Sequence, residues 1–242
     1  MVETINGWLV IDKPQRITSR GALDRVKRWF PRKTKIGHTG TLDPLATGVL
    51  VVAIGEATKL AEKVQAMPKV YRTTVRLGMT SDTDDADGDV TESLVNEIPV
   101  EEQVRNTLPQ FLGTIQQLPP IFSALKVEGR RAYKLARKGH EVTLQPRPVH
   151  VYSIELLSYT WPRVELEIEC GKGTYIRSIA RDLGAALGVG GMVEQLRRTK
   201  VGPFAVEQAI GVNEYKEDAW AALLPVESGI TLSTLSDSLP ES

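Results

Sequence analysis

Two charged side chains in this sequence stand where only a partner or a chemical task would keep them. Asp43 lies in Gly37-His38-Thr39-Gly40-Thr41-Leu42-Asp43-Pro44-Leu45-Ala46-Thr47-Gly48, a loop of glycines, threonines and a proline. The apolar run 49–54 that follows, closed by Gly55, reads as a buried strand. A carboxylate just before such a strand sits at the rim of the core, where an unpaired charge is costly. Arg177 falls in the first turn of a helix expected to be capped by Thr174, so its cation faces the positive pole of the helix dipole. A nearby carboxylate would compensate, and Asp43 is the candidate; an exposed surface arginine is the competing reading. Tyr71 shares a strand face with Thr73, Val75 and Leu77 and carries a hydroxyl that needs a partner.

The elements that must position these residues follow from periodicity. Residues 7–11 read as a strand broken by Asp12-Lys13-Pro14. Thr18 or Ser19 can cap a helix running to about Phe30, with Leu23, Val26 and Phe30 on one stripe and Pro31 as its stop. Residues 58–67 and 100–108 read as helices, and 70–77 as a strand. Residues 130–138 read as a helix bearing Arg130, Arg131, Lys134, Arg137 and Lys138, closed by Gly139. In 163–170, Val164, Leu166, Ile168 and Cys170 alternate with Glu165, Glu167 and Glu169, the mark of an antiparallel strand wet on one side. The fold class expected is α+β, with a substantial antiparallel sheet in a mixed fold.

Composition narrows the function. At 242 residues and 41% hydrophobic the chain suits one large domain, alone or with a small appendage. No apolar run is long enough for a membrane span, and residues 1–4 lack the pattern of a signal peptide, so a soluble cytoplasmic protein is expected. The single cysteine, Cys170, and three scattered histidines exclude an intramolecular disulfide and a Cys/His zinc cluster. The acidic stretch 81–89 fails as a calcium loop: with Gly88 at the sixth position, Leu94 occupies the twelfth, where a bidentate glutamate belongs. An acidic loop with Asx-type turns is expected instead. Net charge is zero, yet residues 1–80 hold 14 Lys or Arg against 6 Asp or Glu, and 81–108 hold 1 against 9. Such segregation permits a polyanion on one face.

Several segments, in order, resemble the TruB family of tRNA pseudouridine synthases. They are Leu9-Val10-Ile11-Asp12-Lys13-Pro14 with Thr18-Ser19; the run from Gly37 to Gly48; and Lys69-Val70-Tyr71 leading to Leu77-Gly78 and Asp82-Thr83-Asp84-Asp85-Ala86-Asp87-Gly88. Gly173-Thr174-Tyr175-Ile176-Arg177 with Asp182-Leu183-Gly184 follows, and 119–126 and Leu196-Arg197-Arg198-Thr199 also fit. The resemblance implies the pseudouridine synthase fold, a mixed, mainly antiparallel central sheet flanked by helices and loops. It implies a catalytic domain over 1–204, and conversion of a specific uridine in the tRNA T-loop, conventionally position 55, to pseudouridine. It implies Asp43 as nucleophile, Tyr71 as a base-packing residue implicated in proton transfer, and Arg177, Tyr175, His38 and Leu196 lining or holding the site. Lys13 is carried over as a substrate-binding residue.

That reaction is redox-neutral, so neither cofactor nor metal is required. A carboxylate can serve an electron-poor C1′ while the base turns, a guanidinium can keep it ionised, and a tyrosine oxygen can take or relay the C5 proton. The target nucleotide must be flipped out of its stack, which suits His38 to fill the vacated space. Each residue also has a structural reading: His38 as a hydrogen-bonded loop residue, Tyr175 as a core aromatic, Leu196 as packing, and Lys13 as a shaper of its turn.

Two departures stand out. Arg16 occupies a position where the family usually has glycine, so that turn differs or gains a phosphate contact. Residues 205–242 form a short acidic extension, too small for the RNA-binding module many bacterial members carry. A monomer that needs no protein partner is expected, gripping the tRNA T-stem-loop through basic segments 13–35 and 126–138 with strong salt dependence. The competing functions are a tRNA chaperone that binds without catalysis and a synthase acting on another stem-loop RNA.

Overall fold

Gly7–Lys13 (β1) and Thr47–Ile54 (β3) are apolar on both faces because both faces are covered, and they pair antiparallel from Gly7↔Ile54 to Lys13↔Gly48. This computed structural model describes residues 5–123, 126–127, 130–131, 144–213 and 216–229. The chain divides into two units, Met1–Tyr71 with Arg197–Ser242, and Arg72–Leu196.

In the first unit, Leu9, Ile11, Leu50, Val52 and Ile54 face Ala22, Leu23 and Val26 of Ser19–Val26 (α1). On the other side Trp8, Val10, Val49, Val51 and Ala53 pack with Val64 of Ala61–Ala66 (α2) and with Phe204. The stripe expected through Phe30 is present, but α1 ends at Val26 and continues as a 3-10 turn, Lys27–Trp29. Ile36–His38 (β2) lies antiparallel to β3. Lys69–Leu77 (β4) and Gly191–Val201 (β12) each have residues in both units. The second half of β12 pairs parallel with β3 through Arg197↔Thr47 and Arg198↔Gly48. Phe204–Ala205 (β13) continues from β12, and Ile210–Gly211 (β14) runs parallel to β1.

Among the described residues after 204, Val212 and Ala219 belong to the core around β1 and β3. Trp8 and Leu224 exchange backbone hydrogen bonds, Trp8 Nε1 donates to the Val226 carbonyl at 3.0 Å, and Ala219 of Lys216–Ala221 (α5) is buried. The remainder of the expected extension, 230–242, lies outside the described residues.

In the second unit the strand order is β12, β4, Arg163–Cys170 (β11), Arg147–Thr160 (β10) and Gly113–Gln117 (β7). β10 pairs antiparallel with both neighbours, and β11 alternates as expected, with Val164, Leu166, Ile168 and Cys170 buried. Met79–Ser81 (β5) and Val90–Glu92 (β6) form a small antiparallel pair around the acidic loop, followed by Glu101–Thr107 (α3). Ile176–Ala186 (α4) buries Ile176, Ile179, Ala180 and Leu183, as its pattern predicts. Its N-cap is Tyr175, not Thr174; the Thr174 hydroxyl donates to the Gly171 carbonyl at 3.1 Å instead. Lys126–Val127 (β8) and Arg130–Arg131 (β9) pair antiparallel, so the helix expected over 130–138 does not include Arg130 and Arg131; residues 132–143 lie outside the described residues. The fold is α+β on a mixed, mostly antiparallel sheet. Among the described residues no helix is long and apolar enough to cross a membrane.

Candidate active site

In the first unit, the loop carrying Asp43 is fastened along its whole length. Thr39 donates its N–H to the Val51 carbonyl at 3.0 Å. Ser19 accepts from the Leu42 N–H at 2.8 Å and donates to the Leu42 carbonyl at 3.0 Å, in a buried setting. Thr18 makes this possible by capping α1 itself, accepting from the Gly21 N–H at 2.9 Å. The Pro44 carbonyl accepts from the Arg16 N–H at 2.8 Å, and the Asp43 carbonyl from the Ala46 N–H at 3.1 Å. Leu42, Leu45 and Ala46 are buried, while Asp43 stays half-buried. The backbone on both sides of the carboxylate is thus fixed by partners outside the loop.

Lys13 is wholly buried, and its ammonium donates to the carbonyls of Pro14 at 2.9 Å, Ile17 at 2.8 Å and Pro44 at 3.5 Å. These bonds tie the 14–17 turn to the Asp43 loop. Arg16 adopts φ +67°, the left-handed region that favours glycine. The turn therefore keeps the geometry a glycine would have, at some cost in strain.

His38 ends β2, with its imidazole pushed below the usual 6.5 by burial; a backbone hydrogen bond with Gly40 opposes this and the charges of Arg198 and Arg20 reinforce it. The ring is neutral at pH 7. Tyr71 is half-buried near the start of β4.

In the second unit, Arg177 is buried in the first turn of α4, with the Asp85 carboxylate, which the sequence does not single out, at 3.3 Å. Its guanidinium also donates to the carbonyls of Thr83 at 2.8 Å and Phe122 at 3.1 Å. Asp85 accepts from the Thr83 hydroxyl at 2.7 Å and the Asp87 N–H at 3.1 Å, an Asx-type turn. One turn along α4, Arg181 pairs with Asp84 at 2.9 Å; burial pushes the Asp84 carboxyl up, against the charges of Arg181 and Arg177. The acidic loop is therefore a clamp on α4, and among the described residues no cluster of His, Cys, Asp or Glu is arranged to hold a metal.

Tyr175 is half-buried and held by its backbone: Gln117 accepts from its N–H at 2.8 Å and donates to its carbonyl at 3.0 Å. Leu196 is buried in β12, beside Gln195, whose carbonyl accepts from the Thr73 hydroxyl at 2.8 Å.

Comparison with known proteins decides the family. The model described as TruB family pseudouridylate synthase (N terminal domain) matches residues 27–176, and that of the tRNA pseudouridylate synthase B C-terminal domain matches 177–231. The chain belongs to the TruB family. The tRNA pseudouridine synthase B of Caulobacter sp. strain K31 is 47% identical over 94% of this chain and 75% of its own length. That of Ruegeria pomeroyi is 48% identical over 93% and 76%. Among solved structures, a Cbf5-Nop10-Gar1 complex matches with a TM-score of 0.70 at 30% identity, covering 93% of this chain and 61% of that one. The TruB-family fold is thus shared across this chain, which is a pseudouridine synthase.

Ser19, which holds the Asp43 loop, and Asp85 and Gln117, which hold Arg177 and Tyr175, carry little signal in the sequence. Asp85 lies among five aspartates in 82–89, where composition does not distinguish it from its neighbours. Ser19 was one of two adjacent capping types, and only the presence of Thr18 signals that its hydroxyl is spare. Gln117 carries no signal in sequence, being an amide at a strand end.

Proposed function

We propose that the protein isomerises uridine to pseudouridine at position 55 in the T-loop of tRNA. The uracil N1–C1′ bond breaks, a C5–C1′ bond forms, and the proton on C5 is exchanged for one on N1, so atoms and charge balance without an external group. Asp43 is the nucleophile that forms or stabilises the glycosyl species while the base turns. Arg177 is the cation that sustains the carboxylate's charge and aim, with Asp85 positioning it. Tyr71 covers the base and takes or relays the C5 proton. His38, being neutral, suits an apolar space left by a flipped nucleotide, and Tyr175 and Leu196 line the site. Lys13 contributes through the loop. The enzyme acts alone, as a monomer.

The observation that carries this reading is the fixed backbone around a half-buried Asp43, with Leu42 and Pro44 each tied to groups outside the loop. Preorganisation of that kind is what a reacting carboxylate needs and a surface carboxylate does not. The names of the relatives supply the RNA. The test is incubation with unmodified tRNA transcripts and chemical mapping of pseudouridine at nucleotide resolution. The expected result is a single modified position, 55, lost when that uridine is replaced by cytidine. Modification confined to another RNA stem-loop, or tRNA folding without any pseudouridine, would replace this reading.

A further inference from the structure

Arg198 is a guanidinium enclosed in the first unit with most of its donors unspent. It is 3% exposed, yet its Nε alone is engaged, donating to the Val49 carbonyl at 2.8 Å. Its two terminal nitrogens make no hydrogen bond, and no carboxylate pairs with it, among the described residues. Holding a cation inside a fold without a balancing charge is costly. A fold does not retain that arrangement for packing, which a methionine would supply.

The Asp43 segment meets Arg198 at its backbone through Gly48 and at its side chain through Gly40. Gly48 has φ +96°, and a Cβ there would lie 2.1 Å from the Arg198 carbonyl oxygen and 3.0 Å from its nitrogen, so only glycine lets β3 and β12 meet at the Arg198↔Gly48 pair. Gly40 also borders it: a Cβ there would lie 3.9 Å from Nη1. The Arg198 fork thus borders the Asp43 loop at Gly40, held by its Nε, with both terminal nitrogens free of hydrogen bonds among the described residues. That is the geometry in which arginine takes two oxygens of a phosphodiester, and its fixed Nε keeps the fork preorganised.

We propose that Arg198 is a phosphate clamp for the RNA, binding one phosphodiester beside the nucleotide that Asp43 processes. This rests on the proposed function in taking RNA as substrate, and adds a binding residue and the group it holds. Bound RNA supplies the balancing charge, so Arg198 acts on affinity and register more than on bond making.

The test is a cycle between protein and RNA in single-turnover titrations of a T-arm stem-loop, which separate half-saturating RNA concentration from maximal rate. Arg198→Met is expected to raise the half-saturating concentration about tenfold, the effect of one charge-assisted hydrogen-bonded contact. In the wild type, a neutral methylphosphonate at one linkage near the target should cause a comparable rise, and in Arg198→Met that same linkage should cause none. Arg198→Lys, which keeps the charge but not the fork, should recover part of the loss and carries the cycle if the methionine variant does not fold. Additive effects at every linkage overturn the proposal, as does a fall in maximal rate at unchanged half-saturation, which would assign Arg198 to the carboxylate. Wild type that binds the stem-loop without turnover refutes the functional reading alone, since the cycle is then scored on binding; wild type that does not bind refutes both.

Discussion

Ser19→Ala isolates the claim that the backbone around Asp43 is held for catalysis. The Ser19 hydroxyl makes two buried bonds to Leu42, at 2.8 and 3.0 Å, and both end on the residue next to Asp43. Alanine leaves the Leu42 N–H and C=O buried and unpaired, each costing about 1–3 kcal/mol, so a loss of about 2–6 kcal/mol is expected if the loop stays shut. If the loop instead opens to hydrate these groups, the stability loss shrinks and the cost moves to catalysis. A carboxylate displaced by about 1 Å lowers rate on the order of a hundredfold. Helix α1 is a small term, since its cap is Thr18. Thr18→Ala is the matched control, losing about 1 kcal/mol of stability with turnover retained. Denaturant unfolding and single-turnover release of tritium from C5 of labelled uridine read both sides. Ser19→Ala that changes stability by less than about 0.5 kcal/mol and keeps the wild-type rate would refute the reasoning.

Arg16→Gly should raise stability by about 1 kcal/mol, because φ +67° is strained for arginine and open to glycine; a lower denaturant midpoint would contradict this. Asp85→Asn, which keeps shape and removes the charge facing buried Arg177, should cost about 3 kcal/mol in the same assay; retention of wild-type stability would show the pair to be dispensable. His38 predicts a pH effect of definite sign. Its folded pKa lies below 6.5, so the unfolded chain takes up the proton first; stability is unaffected at neutral pH, declines as pH falls below 6.5, and the loss is complete below the folded value. His38→Gln should flatten unfolding midpoints between neutral pH and about pH 5, and an unchanged slope would contradict the assignment.

What could be read from the sequence was whatever local periodicity determines. β1, β3 and β11 were legible because their apolar residues run or alternate without interruption, and α1 because its stripe and cap are adjacent in the chain. β10 was not, since only Val149, Val151 and Leu156 are buried and register shifts at Val151/Ser153 and Leu156/Ser158 break its alternation. The need of Arg177 for a carboxylate followed from helix electrostatics, but that Asp85 supplies one depends on how distant segments meet. The burial of Lys13 was not legible, because lysines are almost never fully buried, whereas three backbone carbonyls hold this one inside. The pairing of Leu224 with Trp8 was not legible, because backbone hydrogen bonds leave no mark on side-chain composition.

The most direct test of the account is Asp43→Asn assayed on tRNA. The substitution keeps the size and hydrogen-bonding outline of the side chain and removes the nucleophilic oxygen anion. Tritium release from C5 and pseudouridine at position 55 should both vanish, with tRNA affinity and unfolding midpoint close to wild type. Pseudouridine formation by Asp43→Asn at a rate comparable to wild type would contradict the assignment of Asp43 as the nucleophile.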